Sequence, residues 1–234
     1  MINKLVKNAT LVGLAFALLG CNSEMVTELN ATDIGNSASN GKVLKGFMSV
    51  EMSGGCYDSS TGAESDNLVK ADGVMYNLFG KHQDWLSCEE NDDYGFSSTA
   101  HYSYDITLDT IIDGKTPNPE IPVTVVTEKW SDGSYAIKML VNEKFKSRLN
   151  SRMGELDMME LKMFVNITND TKSEISYTGY GVYLWDASTY KYQPMQYVHF
   201  PSKEGTTSYL KMGSVATDTL LNRGVMVLGH VTFK

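Results

Sequence analysis

IPVTVVTEKWSDGSYAIKMLV, residues 121–141, decides how the rest of the chain is read. Ile121, Val123 and Val125 alternate along its first half, and Tyr135, Ile137, Met139 and Val141 along its second. A period of two puts one set of side chains on one face of a strand. Between the halves stands Asp132-Gly133, flanked by Trp130 and Tyr135. Asp-Gly supplies the backbone freedom that a tight hairpin requires. The stretch reads as two antiparallel strands around a turn.

The same signal extends outward. Leu44, Met48, Val50 and Met52 share one face of an earlier strand, and Met159, Leu161, Met163, Val165 and Ile167 alternate through a long one. A polar turn at Asn169-Asp170-Thr171-Lys172 leads to a run from Ile175 and Tyr177 on to Trp185, and Val225, Val227, Val231 and Phe233 mark a last strand. Helical spacing interrupts at Leu68, Ala71, Met75, Leu78 and Phe79, where Thr61 and Glu64 resemble a capping box. Phe145, Leu149 and Met153 form a thinner stripe with Asn142 as cap, and a short helix spans Ala216 to Asn222 before Gly224. The expected fold is α+β, mainly antiparallel β-sheet with two or three short helices. The order of elements hints at a duplicated strand–helix–strand–strand unit.

The N-terminus has a different character. Lys4 and Lys7 precede the uncharged run Ala9–Gly20, about a dozen residues against the roughly 20 a membrane-spanning helix needs. A basic head, a short apolar stretch and a small residue describe a signal peptide. Here it ends Leu18-Leu19-Gly20-Cys21, which resembles the bacterial lipobox. That resemblance implies cleavage before Cys21 and acylation of its sulfur and new amine with palmitate-type chains. It makes the lipid bilayer the first partner. Asn22-Ser23, with no Asp after the cysteine, implies the outer membrane. Residues 1–20 are thus read as a lipoprotein signal peptide. Residues 21–40, rich in Asn, Ser, Thr and Ala, are read as a flexible tether. Residues 41–234 are the globular domain.

Removing residues 1–20 takes away Lys4 and Lys7, so 18 of 20 basic side chains remain against 28 acids, a formal charge of −10. That field repels phosphates and excludes nucleic acid as a partner. With Cys21 carrying lipid, Cys56 and Cys88 are left as a pair, and export permits a disulfide between them. Closing a loop of about 33 residues would add roughly 3–4 kcal/mol. No metal and no cofactor is expected: His82, His101, His199 and His230 have no ligand spacing around either cysteine.

Candidate catalytic motifs fail on order or spacing. Ser208-Tyr209-Leu210-Lys211 and Ser65-Asp66-Asn67 occur in the reverse of the order seen in penicillin-binding enzymes, and Lys115-Thr116 runs into Pro117. Glu89-Glu90-Asn91-Asp92-Asp93 lacks the glycine and terminal acid of a calcium loop and reads as a solvated acidic turn. Gly179-Tyr180-Gly181 reads as a bulge or close backbone approach, and His230 as a satisfied core or interface histidine. The chain is not expected to be an enzyme. What remains is aromatic: Tyr180, Tyr183, Trp185, Tyr190, Tyr192 and Tyr197 crowd one segment with few charges. Such residues favour strands and also build recognition surfaces, so sheet packing and recognition both stand. Trp185, Tyr190, Tyr192 and Tyr197 are the candidate recognition surface, around the loop Asp186 to Met195.

Val26-Thr27-Glu28-Leu29, Thr32-Asp33-Ile34 and Gly41-Lys42-Val43 resemble an uncharacterised lipoprotein family of bacteria and prophages. The resemblance implies a small accessory lipoprotein, of phage descent in some members. The anchor, the flexible tether and the absence of catalytic motifs point to a non-enzymatic module of the cell envelope that binds a protein partner. The alternative is an envelope hydrolase or small-ligand-binding lipoprotein with a site built from dispersed residues.

Overall fold

The structure is a computed structural model, which describes residues 23–36, 39–91, 96–111, 121–153, 161–186, 190–194 and 200–234. Cys21 lies outside them. In chain order the elements begin with β1 (Ser23–Asn30), β2 (Lys42–Ser53), α1 (Asp66–Phe79), β3 (Gln83–Glu90), β4 (Ser97–Ile111), β5 (Val123–Lys129), β6 (Tyr135–Val141) and α2 (Glu143–Met153). They continue with β7 (Leu161–Thr168), β8 (Ile175–Gly179), β9 (Val182–Asp186), β10 (Lys191–Pro194), β11 (Phe200–Ser202), β12 (Thr207–Met212), α3 (Ser214–Arg223) and β13 (Val225–Phe233). The strands form one sheet in the order β10-β9-β12-β7-β1-β2-β4-β5-β6-β13-β8-β11, with β3 also on β4.

The hairpin expected around Asp132-Gly133 is present. β5 and β6 pair antiparallel from Val123↔Val141 to Lys129↔Tyr135. Gly133 sits at φ +86°, and the Asp132 carboxylate accepts from the Ser134 amide (2.9 Å) and hydroxyl (2.6 Å), which locks the turn. The sheet is nonetheless mixed rather than antiparallel throughout. β1 lies parallel to β7, and β4 parallel to β5. Parallel neighbours need long crossovers, and no local pattern marks which distant strand arrives. β4 is long enough to serve both neighbours on one edge: β3 pairs with Ser98–Tyr104 and β5 with Ile106–Ile111.

The tether reading of residues 21–40 is corrected from Ser23 onward. β1 sits near the middle of the sheet, between β7 and β2, with Ser23, Met25, Thr27 and Leu29 buried. Its inward face carries only two large apolar side chains, so composition alone makes it look unable to order. The alternation is there in the sequence, and the neighbouring strands supply the partners. Ala31 and Ile34 continue the burial, and the Asp33 carboxylate accepts from Lys42 and Ser39.

The run from Ile175 to Trp185 is also not one strand. It breaks at Tyr180-Gly181, where Gly181 takes φ +63°, the Tyr180 amide donates to the Leu228 carbonyl, and Gly181 accepts from the Gly213 amide. β8 then pairs with β13 and β9 with β12, near opposite ends of the strand order. Two strands separated by two residues cannot be far apart in space, so the sheet curls until its ends meet at this link. The duplicated unit is not reproduced: β2 and β3 flank β4, whereas β6, β7 and β8 have no pairing among themselves. Similar element order does not enforce similar pairing.

The helices pack their predicted stripes into the core. Leu68, Ala71, Met75, Leu78 and Phe79 of α1 are all buried, each large side chain contributing about 1.5–3 kcal/mol. The N-cap is Ser65, whose hydroxyl accepts from the Leu68 amide, and not Thr61, which Asp58 holds in the preceding turn. Asn142 caps α2 through the Phe145 amide at 2.8 Å. Gly224 ends α3 at φ +77°. Phe79 stacks on Tyr104 at 4.6 Å and meets Phe145 at 5.4 Å, so α1, α2 and the sheet share one core. A bulge between Val227 and Gly229 turns Leu228 and Val231 inward and leaves Val225 exposed, shifting the alternation expected in the last strand. Cys56 and Cys88 form a disulfide, 32 residues apart, tying the loop before α1 to β3.

Candidate recognition surface

β7, β12, β9 and β10 lie side by side at one end of the strand order. Their alternation sorts the side chains. Met163, Val165, Ile167, Leu210, Met212 and Val182 face the core. The other face of the same strands carries Phe164, Lys211, Tyr183 and Trp185. Register aligns Phe164, Lys211, Tyr183 and Pro194 in one cross-strand row.

On this outward face the aromatic rings gather. Trp185 meets Tyr192 at 5.1 Å and 62°, and Tyr190 at 6.5 Å and 74°. Phe164 meets Tyr192 at 6.1 Å. The two Trp185 contacts are edge-to-face, an arrangement favourable by about 0.5–1.5 kcal/mol beyond burial, and the Phe164 contact is tilted. Tyr190 is 79% exposed and sits at φ +53°, a left-handed conformation costly for a residue with a Cβ. Burial, with Glu24 nearby, raises the Tyr192 hydroxyl pKa, so the phenol stays a neutral donor. Beside the rings a cleft of about 510 Å³ runs between Leu161, Lys162, Tyr192, Lys211 and the start of α3. Stiff aromatic side chains of this kind are enriched at recognition surfaces.

The structure thus brings together Trp185, Tyr190 and Tyr192. Tyr197 lies outside the described residues. The sequence pattern does not single out Phe164 or Lys211 and leaves Tyr183 outside the candidate surface: β7 is recognised by its core-facing residues alone, and β12 is not recognised as a strand. An aromatic or cationic side chain between two core positions of a strand is the signal that would have found them.

Other polar clusters are structural in geometry. Lys45 bridges Asp84 (2.9 Å) and Asp105 (2.8 Å), and His82 Nδ1 lies 3.2 Å from Asp105. Burial tends to raise the Asp105 pKa, but the hydrogen bonds from Lys45 and His82 outweigh it and hold the carboxyl below its ordinary value. The Ser49 hydroxyl lies 3.1 Å from His101 Nδ1, a cross-strand pair. Among the described residues no carboxylate is hydrogen-bonded to that histidine. His230 is half-buried, with the Tyr180 hydroxyl at 3.1 Å and the Trp130 ring at 5.1 Å. Among the described residues no three His, Cys, Asp or Glu side chains converge as metal ligands, and no helix is long and apolar enough to cross a membrane.

Comparison with curated proteins finds no match. The model of a family described as a domain of unknown function, DUF7424, matches residues 23–234, from the first residue of β1 to the last of the chain, and the chain belongs to that family.

Proposed function

We propose that the chain is an exported lipoprotein, acylated on Cys21 and held at the outer membrane, whose body is a non-enzymatic module binding a protein partner in the envelope. The single observation that carries the binding role is the aromatic cluster of Trp185, Tyr190, Tyr192 and Phe164 on an outward sheet face. Buried rings in well-packed patches dominate interface energetics. The anchor rests on the Leu18-Leu19-Gly20-Cys21 box; each buried methylene contributes about 0.8 kcal/mol, so several chains hold a body firmly. The Cys56–Cys88 disulfide suits an oxidising compartment.

Palmitate labelling of wild type and Cys21→Ala tests the anchor: label must be present in the first and absent from the second. Crosslinking in living cells tests the surface. Trp185→Ala should lower capture of the envelope partner at least tenfold without changing the amount of folded protein. Equal capture by the variant refutes the assignment of this face.

A further inference from the structure

The place of β1 in the sheet fixes how far the aromatic face stands from the anchor. Ser23 is already in the sheet, paired with Val50 and Leu161, and only Asn22 separates it from Cys21. Two residues reach at most about 7 Å. An acylated Cys21 would therefore lie within that reach of the sheet.

Register then sets the distance to the rings. Leu161 lies opposite Ser23. Phe164, Lys211 and Tyr183 form a row three residues along β7, about 10 Å away at the usual strand rise. Leu184 aligns with Leu210 and Val165, so Trp185 and its partner Tyr192 stand five residues along, about 17 Å from that end. Three strand spacings separate β1 from β9 and four separate it from β10, about 14 Å and 19 Å sideways. Combining these with the reach of Asn22 keeps Trp185 within about 30 Å of the acylated sulfur, Tyr192 within about 33 Å and Tyr190, two residues further on, within about 40 Å, whatever tilt the body takes.

We propose that the partner of the aromatic face is the membrane-proximal surface of an integral envelope protein. This rests on the acylation of Cys21 and on the recognition role given above. A partner standing well above the bilayer would be out of reach. Charge adds to its description. Lys162 and Lys211 line the cleft beside the rings, and Lys191 is exposed on β10. Glu24 and Asp218 are among the acids at this site. In a chain of net negative charge, this lysine-rimmed aromatic patch fits a partner surface that is apolar at its centre and acidic around it.

The test places the photocrosslinking amino acid p-benzoylphenylalanine at position 190 of the full chain in living cells. A second version carries a 40-residue helical spacer between Asn22 and Ser23, about 60 Å long at 1.5 Å per residue. The mass of the N-terminal peptide and formation of the disulfide are checked in both. The expected result is a protein adduct from the unspaced chain that falls at least tenfold with the spacer. An adduct of unchanged yield overturns the proximity inference and leaves the recognition face standing. A lipid adduct in place of a protein one overturns it in favour of the bilayer as occupant. No adduct from an acylated chain removes the recognition reading with it, and an unacylated Cys21 removes the anchor on which both distances depend.

Discussion

Met25→Ala is the sharpest probe of β1 as a core strand. Met25 is 1% exposed on the inward face, between Met48 of β2 and Met163 of β7. The substitution deletes a sulfur and two carbons. Loss of transfer energy accounts for about 2–2.5 kcal/mol, and the residual cavity brings the total to about 3, within the roughly 2–5 kcal/mol range of such truncations. With a urea m-value of about 2–3 kcal/mol/M, the unfolding midpoint should fall by about 1–1.5 M. Glu28, on the same strand but exposed, provides the control, since Glu28→Ala should change stability by less than about 0.5 kcal/mol. Equilibrium urea unfolding followed by circular dichroism measures both. If the two variants match wild type equally well, residues 23–30 are not a packed strand.

Three further outcomes follow from the packing. Replacing both Cys56 and Cys88 with Ser should cost about 3–4 kcal/mol, read as the same loss that reductant causes in wild type during urea unfolding. Gly46→Ala places a Cβ 2.4 Å from the buried Tyr104 ring, so it should destabilise by about 1–3 kcal/mol although glycine is elsewhere unfavourable in strands; thermal unfolding of the variant checks it. Asp105 has a folded pKa below its unfolded value of about 3.9, so its stabilising contribution is present above that value and is lost as pH falls through the folded one. Asp105→Asn should therefore be less stable than wild type at pH 7, with the gap narrowing as urea titrations are taken from about pH 5 towards pH 2; a gap independent of pH would show that the carboxylate's charge is not what stabilises.

Local chemistry makes several elements legible in the sequence by itself. The Asp132-Gly133 hairpin, the α1 stripe, the Asn142 cap and the Gly224 stop each depend on residues within a few positions of one another. The disulfide is legible from the even count left after Cys21. The aromatic candidates Trp185, Tyr190 and Tyr192 are legible because aromatic residues crowd one short segment with few charges, although the stretch from Asp186 to Met195, read as a loop, holds β10.

Everything that requires a distant partner is decided by the tertiary structure. β1 is a strand because β2 and β7 bury Met25 and Leu29 on either side; its own composition is too polar to announce it. The run through Tyr180-Gly181 is two strands because β13 and β12 compete for its two halves. Phe164 joins the aromatic cluster only because β7 reaches β12 and the curled sheet brings Tyr192 over it. Side-chain period and turn chemistry act over a few residues, whereas sheet order is set by which strands together bury the most apolar surface, a property of the assembled sheet that no single segment carries.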